Sequence, residues 1–259
     1  MSNLFTTDEL RAYWLAEYNR PFAGWDFSYL ADRRVTMRPA GTWDYTDEVV
    51  AAIPNATSML DMDTGGGEWL ASLPGRPPQT HATEGYSPNV VVARGRLEPL
   101  GVEVYEVTDP ARLPFGDGQF DLVMNRHGAY EPHEVRRVIA PGGLFITQQV
   151  GDQTNRTLHE LLDDTKPVAG WNLALAVAGL EAAGFHILEQ REDFPITRYF
   201  DVGAIVYYLK AIPWEIPDFS VDKYFDKLVA IHHRIQSEGF VDILFHQFFI
   251  RAQKPDGAR

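Results

Sequence analysis

Short apolar segments alternate with helical segments through the middle of this 259-residue chain, and this alternation constrains the fold more than any other feature. Strand patterns occupy residues 57–62, 79–84, 102–107, 120–125 and 144–150; the first is a short apolar run, the second is weak and the fourth is of the buried type. Helical patterns lie between most of them, at the short intervals expected when a crossover helix connects two parallel strands. The middle of the chain therefore predicts an α/β fold, with a mostly parallel Rossmann-like sheet and helices on both faces.

We expect one domain over residues 1–259, because the only Pro/Gly-rich stretch is too short to be a linker. Residues 1–50 carry helical patterns and many aromatic residues, which predicts an N-terminal helical lid. Residues 51–194 are expected to form the core. A helical insertion follows at 195–237, and residues 238–259 are expected to form the last, antiparallel strand and a tail.

Composition limits the classes of function. The formal net charge of −13 repels polyphosphate, so nucleic-acid binding is disfavoured. We interpret Arg33, Arg34 and Arg38 as a solvated face. The chain has no cysteine, no secretory signal pattern and no apolar run that could span a bilayer, so we expect a cytoplasmic monomer or homodimer without a membrane partner.

A glycine-rich turn follows the first strand of the predicted sheet, in the sequence Leu60-Asp61-Met62-Asp63-Thr64-Gly65-Gly66-Gly67-Glu68. Such a turn lets backbone amides approach a ligand at the carboxyl edge of the sheet. A dinucleotide fingerprint would need glycine where Leu70 stands, and no Gly-Lys-Ser/Thr follows as a phosphate loop would require. The turn therefore indicates a ligand site of a different kind.

The chain resembles the class I S-adenosylmethionine-dependent methyltransferases, of the type 11-like group, from about Leu60 to Val150. The glycine turn matches the first motif of this family at Asp61, Gly65, Gly67 and Glu68. The acids that the family carries after its second and third strands fall on Glu84 and Asp109. Two further stretches typical of the family are Leu113-Pro114-Phe115 and Ile139-Ala140-Pro141-Gly142-Gly143.

The resemblance implies S-adenosylmethionine as the cofactor. By it, Glu84 would accept hydrogen bonds from the ribose hydroxyls, and Asp109 would face the adenine amino group. Tyr86 would pack on the adenine or ribose, while Asn125 and Arg126 would border the methionine end. The full set of residues implied in cofactor binding is Asp61, Asp63, Gly65, Gly67, Glu84, Gly85, Tyr86, Asp109, Pro110, Ala111, Asn125 and Arg126.

The chain departs from the family pattern at Asp63, which stands where the family has its first glycine. A carboxylate here could contact the positive charge of the cofactor, and aspartate tolerates unusual backbone angles. It could equally block binding. Both alternatives stay open from the sequence.

Methyl transfer depends mainly on holding donor and acceptor in line, and a base is needed only when the acceptor must lose a proton. His127 is the candidate catalytic base. Candidate substrate-binding residues are Tyr18, Tyr130, Gln148, Gln149, Tyr207 and Trp214. No metal is expected, because adjacent histidines such as His232 and His233 cannot both face one ion from a helix.

The sequence thus predicts a methyltransferase that modifies an oxygen or nitrogen of a small molecule. Aromatic residues before position 50 and within 195–237 suit an apolar or aromatic acceptor. The first alternative is a protein that binds S-adenosylmethionine or S-adenosylhomocysteine without turnover. The second, an RNA methyltransferase, is less favoured because of the acidic charge.

Overall fold

The computed structural model describes residues 6–22, 26–165 and 170–256. The helices are α1 (Thr7–Tyr18), α2 (Tyr45–Ala52), α3 (Glu68–Ser72), α4 (Ser87–Leu97), α5 (Pro132–Val138), α6 (Arg156–Leu162), α7 (Leu173–Ala182), α8 (Val202–Ala211) and α9 (Phe225–Glu238). The strands are β1 (Arg34–Met37), β2 (Ser58–Met62), β3 (Gln79–Glu84), β4 (Glu103–Glu106), β5 (Phe120–Arg126), β6 (Ile139–Val150), β7 (His186–Asp193), β8 (Ile196–Tyr199), β9 (Val241–Leu244) and β10 (Gln247–Gln253).

The main sheet has seven strands in the order β4-β3-β2-β5-β6-β10-β7. Strand β10 runs antiparallel to both of its neighbours, β6 and β7, and the other pairs are parallel. This confirms the predicted Rossmann-like sheet with one antiparallel strand near the carboxyl end. The strand order reverses between β2 and β5, which is where open α/β sheets bind their ligands.

Both faces of the main sheet are covered, as its buried central strands require. Neighbouring residues of a strand point to opposite faces, so Leu60 and Val123 belong to one core and Met59 and Leu122 to the other. Residues from α5 and α7 complete the first core, and residues from α2, α3 and α4 complete the second. The carboxyl ends of β2, β3 and β5 are thereby held on a rigid base.

A second, three-stranded antiparallel sheet has the order β1-β8-β9. It belongs to a third core, here called the cap core, which includes Trp14, Leu30, Tyr199, Leu228 and Val241. The sequence predicted only helices in the regions that hold β1 and β8. These two strands have four residues each and are partly exposed, so they lack the long apolar pattern that identified the main strands.

Other local predictions need correction. The last strand was predicted as one segment, but it is divided into β9 and β10 at Phe245 and His246. The family-like stretch that ends at Gly143 lies within β6, and α6 was not predicted. Arg33 is not part of a solvated face, because its guanidinium pairs with the buried carboxylate of Glu17 at 3.0 Å. None of the helices in the described ranges is long and apolar enough to cross a membrane.

Candidate functional site

The glycine turn connects β2 to α3 at the point where the strand order reverses. Asp63, Gly65 and Gly67 have φ angles of 56°, 65° and 77°, in the left-handed region that favours glycine. A side chain at Gly67 would also lie 2.8 Å from the side chain of Leu97 in α4. The close approach of α4 and the left-handed backbone therefore both require glycine at position 67. Asp63 adopts the left-handed conformation although it is not a glycine.

Glu84 fixes this turn from the end of β3. One carboxylate oxygen accepts a hydrogen bond from the amide of Gly65 at 2.7 Å, and the other accepts one from the amide of Tyr86 at 2.8 Å. Burial raises the pKa of Glu84, and these backbone amides oppose that rise. The carboxylate is thus held rigidly beside the turn, and its remaining lone pairs are available to a ligand.

A cavity of about 240 Å³ lies beyond the carboxyl ends of β2, β3, β4 and β5. Of the predicted cofactor residues, Asp63, Gly85 and Pro110 line it. The prediction missed six other lining residues, which are Met62, Thr83, Val107, Thr108, Leu113 and Ala129. Most of these come at or just after a strand end, so the rule that ligands bind beyond the carboxyl ends of parallel strands could have identified them.

Three carboxyl groups, those of Asp61, Asp63 and Glu84, lie close to one another beside the cavity. Burial raises the pKa of Asp61 to about 7, although Thr64 and Arg126 oppose the rise. Burial, and then the charge of Glu84, raises the pKa of Asp63 to about 6, against the amide of Ala129. Desolvation and mutual repulsion both penalise these negative charges, so the site favours a positively charged ligand.

The backbone approaches Asp63 closely at Gly128. A Cβ atom at Gly128 would lie 2.6 Å from Cβ of Asp63 and 2.9 Å from Nδ2 of Asn125. Both neighbours are held in place, since Asn125 is fully buried and Asp63 sits in a left-handed turn. The loop after β5 therefore requires the smallest side chain at this point.

We predict that Gly128→Ala destabilises the protein by roughly 1–3 kcal/mol, the usual range for overpacking. Gly95→Ala is the matched control, because a Cβ atom at Gly95 meets nothing within 4 Å and the residue lies inside α4. The control should be neutral or more stable, since alanine favours a helix. Urea unfolding of both variants measures the difference, and equal stability would show that the loop accommodates a methyl group.

His127 belongs to a hydrogen-bonded chain with Gln148 and Trp43. The Trp43 Nε1–H donates to Oε1 of Gln148 at 2.8 Å, so the Gln148 amide nitrogen faces Nε2 of His127, at 3.1 Å. Because that nitrogen is a donor, Nε2 of His127 accepts and the ring proton lies on Nδ1. Burial, and then the charges of Arg126 and Arg38, lower the pKa of His127, although the residue as a whole is exposed. A neutral imidazole that offers an Nδ1–H donor fits this arrangement better than a base.

A second polar group lies on the opposite face of the same strands. The amide nitrogen of Gln149 donates to Oδ1 of Asn125 at 2.5 Å and approaches Thr147 Oγ1 at 2.9 Å. Nδ2 of Asn125 and the hydroxyl of Tyr130 are buried and have no hydrogen-bond partner within the described residues. Buried polar atoms seldom stay unpaired, so these two indicate a place where a ligand or water completes the bonding.

Several predicted residues are not brought to the cavity. Asp109 is exposed in a turn, where its carboxylate accepts from the amide of Ala111 at 3.0 Å, and Tyr86 is 61% exposed. Tyr18 and Tyr207 pack with the cap core, and Trp214 is 61% exposed. None of these residues lines the cavity. Within the described ranges, no group of three or more His, Asp or Glu side chains is placed to hold a metal ion.

Comparison with solved structures identifies the fold. A provisionally assigned methyltransferase from Bacillus halodurans is 19% identical and matches with a TM-score of 0.57, covering 81% of this chain and 97% of its own. A protein of unknown function from Deinococcus radiodurans is 15% identical with a TM-score of 0.59, covering 95% and 98%. The [4+2]-cyclase SpnF is 16% identical with a TM-score of 0.52, covering 97% of both chains. No family model and no curated protein matches the sequence. The chain therefore has the Rossmann-like fold of class I methyltransferases.

Proposed function

We propose that this protein is an S-adenosylmethionine-dependent methyltransferase that modifies an oxygen or nitrogen atom of a small molecule. The observation that carries the proposal is the carboxylate of Glu84, which two backbone amides hold beside the glycine turn, between Thr83 and Gly85, which line the cavity. The fold of the neighbouring structures supports it. A relation to the type 11-like group, a cytoplasmic location and a monomeric or homodimeric state remain predictions from the sequence.

The residues at the cavity fit this cofactor. Glu84 would accept hydrogen bonds from the ribose hydroxyls, and Gly85, Pro110 and Leu113 offer small or apolar surfaces for a base. Asp63 would face the cationic part of the ligand. When bound, S-adenosylmethionine supplies a methyl group on a positively charged sulfur. The raised pKa of Asp63 is consistent with a cationic ligand. Burial destabilises the ionised carboxylate, and a nearby positive charge would stabilise it again.

Most of the rate enhancement would come from positioning within a site of low water content. Gln148 and Trp43 hold the ring of His127, so His127 would orient an acceptor through its Nδ1–H. If the acceptor has to lose a proton, Asp63 lines the cavity and has a pKa of about 6, which suits a base near neutral pH. The sequence predicts His127 as the base, but the hydrogen bond between its Nε2 and Gln148 competes with that role.

A specific observation favours a second candidate, a protein that binds the cofactor without turnover. The Asp63 side chain lies between Gly85 and Gly128 and so narrows the cavity. The neighbouring [4+2]-cyclase also shows that a fold of this kind does not determine one reaction. An RNA substrate is the least favoured, since the net charge of −13 offers no general attraction to phosphates.

Turnover separates the two candidates. The purified protein is incubated with S-adenosylmethionine and pools of small-molecule acceptors, and the S-adenosylhomocysteine formed is measured. A methyltransferase forms it only with some pools, and Glu84→Gln should lower the signal when the cofactor is below saturation. Binding of both cofactor forms, with no product from any pool, would favour the binding protein.

A further inference from the structure

Asp63 carries the only ionisable side chain among the described residues that line the cavity. Its carboxylate lies between two glycines: a Cβ atom at Gly85 would lie 3.9 Å from Oδ1 of Asp63, and one at Gly128 would contact Oδ2. Burial and the charge of Glu84 raise the pKa of Asp63, and the amide of Ala129 opposes that rise. No cation is among these groups, so a positively charged ligand would supply the partner that this carboxylate lacks within the described residues.

The order of the strands places Asp63 relative to a bound nucleoside. Strands β4, β3, β2 and β5 are neighbours in this order, and adjacent strands lie about 4.8 Å apart. The apolar lining from the loop after β4 would hold the base, and Glu84, which ends β3, would hold the ribose. Asp63 follows β2, which is the next strand, and Ala129 lies in the loop after β5. A substituent at the 5′ position of the ribose would therefore extend toward Asp63.

The methyl donor and its product differ by one charge at this position. S-adenosylmethionine has a positively charged sulfur bonded to the 5′ carbon, whereas S-adenosylhomocysteine has a neutral thioether there. Both compounds keep the adenine, the ribose and the amino-acid group. The methyl group leaves sulfur without the electron pair of its bond, so the transfer itself removes the charge. A carboxylate in a buried site stabilises the cation far more than the thioether.

We propose that Asp63 discriminates between the methyl donor and its product by charge, so that the site binds S-adenosylmethionine more tightly than S-adenosylhomocysteine. The inference rests on the proposed function, because it assigns a role in the same site. It predicts that the product inhibits weakly and leaves readily. It also gives a role to the aspartate that stands where the family has its first glycine.

The test is calorimetric titration at pH 8 with S-adenosylhomocysteine, with S-adenosylmethionine and with sinefungin, an analogue in which a carbon bearing an ammonium group replaces the methylated sulfur. We expect both cationic ligands to bind at least tenfold more tightly than S-adenosylhomocysteine. In Asp63→Asn and Asp63→Gly this ratio should fall below threefold. Asp63 has a φ angle of 56°, where glycine is favoured, so Asp63→Gly remains informative if Asp63→Asn fails to fold. Asp32→Asn, at an exposed position, is the matched control and should keep the wild-type ratio.

The possible failures point to different parts of the account. Equal binding of all three ligands by the wild type, or a ratio that both Asp63 variants leave unchanged, would overturn the inference and leave the cofactor assignment in place. If the variants weaken all three ligands equally, Asp63 pairs with the ammonium of the amino-acid group that they share, and the discrimination is wrong. If no ligand binds to the wild type, the proposed function fails and the inference fails with it.

The same ratio at pH 5 gives a second readout. A carboxyl group with a pKa of about 6 is mostly protonated at pH 5 in the free protein, so it would offer little charge to a cation. We expect the preference for sinefungin over S-adenosylhomocysteine to fall about tenfold between pH 8 and pH 5. Asp61 on β2 and Glu84 on β3 are the acids that act on Asp63, and Asp63→Asn retains both. The ratio in Asp63→Asn should therefore not depend on pH, and a pH-independent ratio in the wild type would contradict the inference.

Discussion

Glu84→Gln should weaken binding of both S-adenosylmethionine and S-adenosylhomocysteine by roughly 10- to 100-fold. Hydrogen bonds to a charged group contribute about 1.5–3 kcal/mol, and the variant removes the charge that would hold the ribose. In the wild type, the backbone amides of Gly65 and Tyr86 both donate to the carboxylate. In the variant, one of these amides would face the NH₂ group of the glutamine, which is also a donor. The loss should therefore appear in cofactor affinity and, to a smaller extent, in stability.

Calorimetric titration measures this affinity, and unfolding by urea measures the stability of the same variant. Glu98→Gln is the matched control, because Glu98 is an exposed residue that forms only a surface pair with Arg94 at 3.9 Å. It should bind the cofactor as the wild type does. Unchanged affinity in Glu84→Gln would remove Glu84 from the site and, with it, the observation on which the proposed function rests.

Asp61→Asn should stabilise the protein at neutral and higher pH. Asp61 is 3% exposed, and burial raises its pKa from the ordinary aspartate value of 3.8 to about 7. Between about pH 4 and pH 7 the folded protein retains a proton that the unfolded chain has released, so rising pH favours unfolding across this window. Above pH 7 the penalty is complete, at about 4 kcal/mol at most, from 1.36 kcal/mol per pKa unit.

Asparagine keeps the shape of the side chain without the charge. We expect Asp61→Asn to gain roughly 2–4 kcal/mol at pH 8, which raises the melting temperature by several degrees in a chain of this size. The gain should shrink at pH 5, where the folded wild type already holds its proton. Asp32→Asn, at an exposed position, is the control and should show neither effect. A loss of stability at pH 8 would show that the Asp61 charge is well compensated in the folded protein.

The centre of the main sheet could be predicted because its strands are buried on both faces. All five residues of β2 are buried, and three of them, Met59, Leu60 and Met62, are apolar. The glycine turn and Glu84 could be placed because the turn directly follows β2 and Glu84 ends β3. Glu84 then meets Gly65 because β2 and β3 pair in parallel and their carboxyl ends lie side by side.

The remaining features depend on contacts between distant parts of the chain. Strand β1 forms only by pairing with β8, with Arg34 opposite Tyr199, and its own residues are mostly exposed. The tautomer of His127 depends on Gln148 and Trp43, whose positions are set by strand register and by the segment before α2. No local pattern indicates such partners, so the sequence could identify His127 as a candidate but not its hydrogen bonding.

Calorimetric titration of the wild-type protein with S-adenosylmethionine and, separately, with S-adenosylhomocysteine tests the central claim most directly, because it needs no acceptor. We predict saturable binding of both at micromolar concentrations. S-adenosylmethionine should bind at least as tightly, since its additional positive charge would face Asp63, which lines the cavity. No heat of binding and no thermal stabilisation by either compound at millimolar concentration would contradict the claim that this site holds the cofactor.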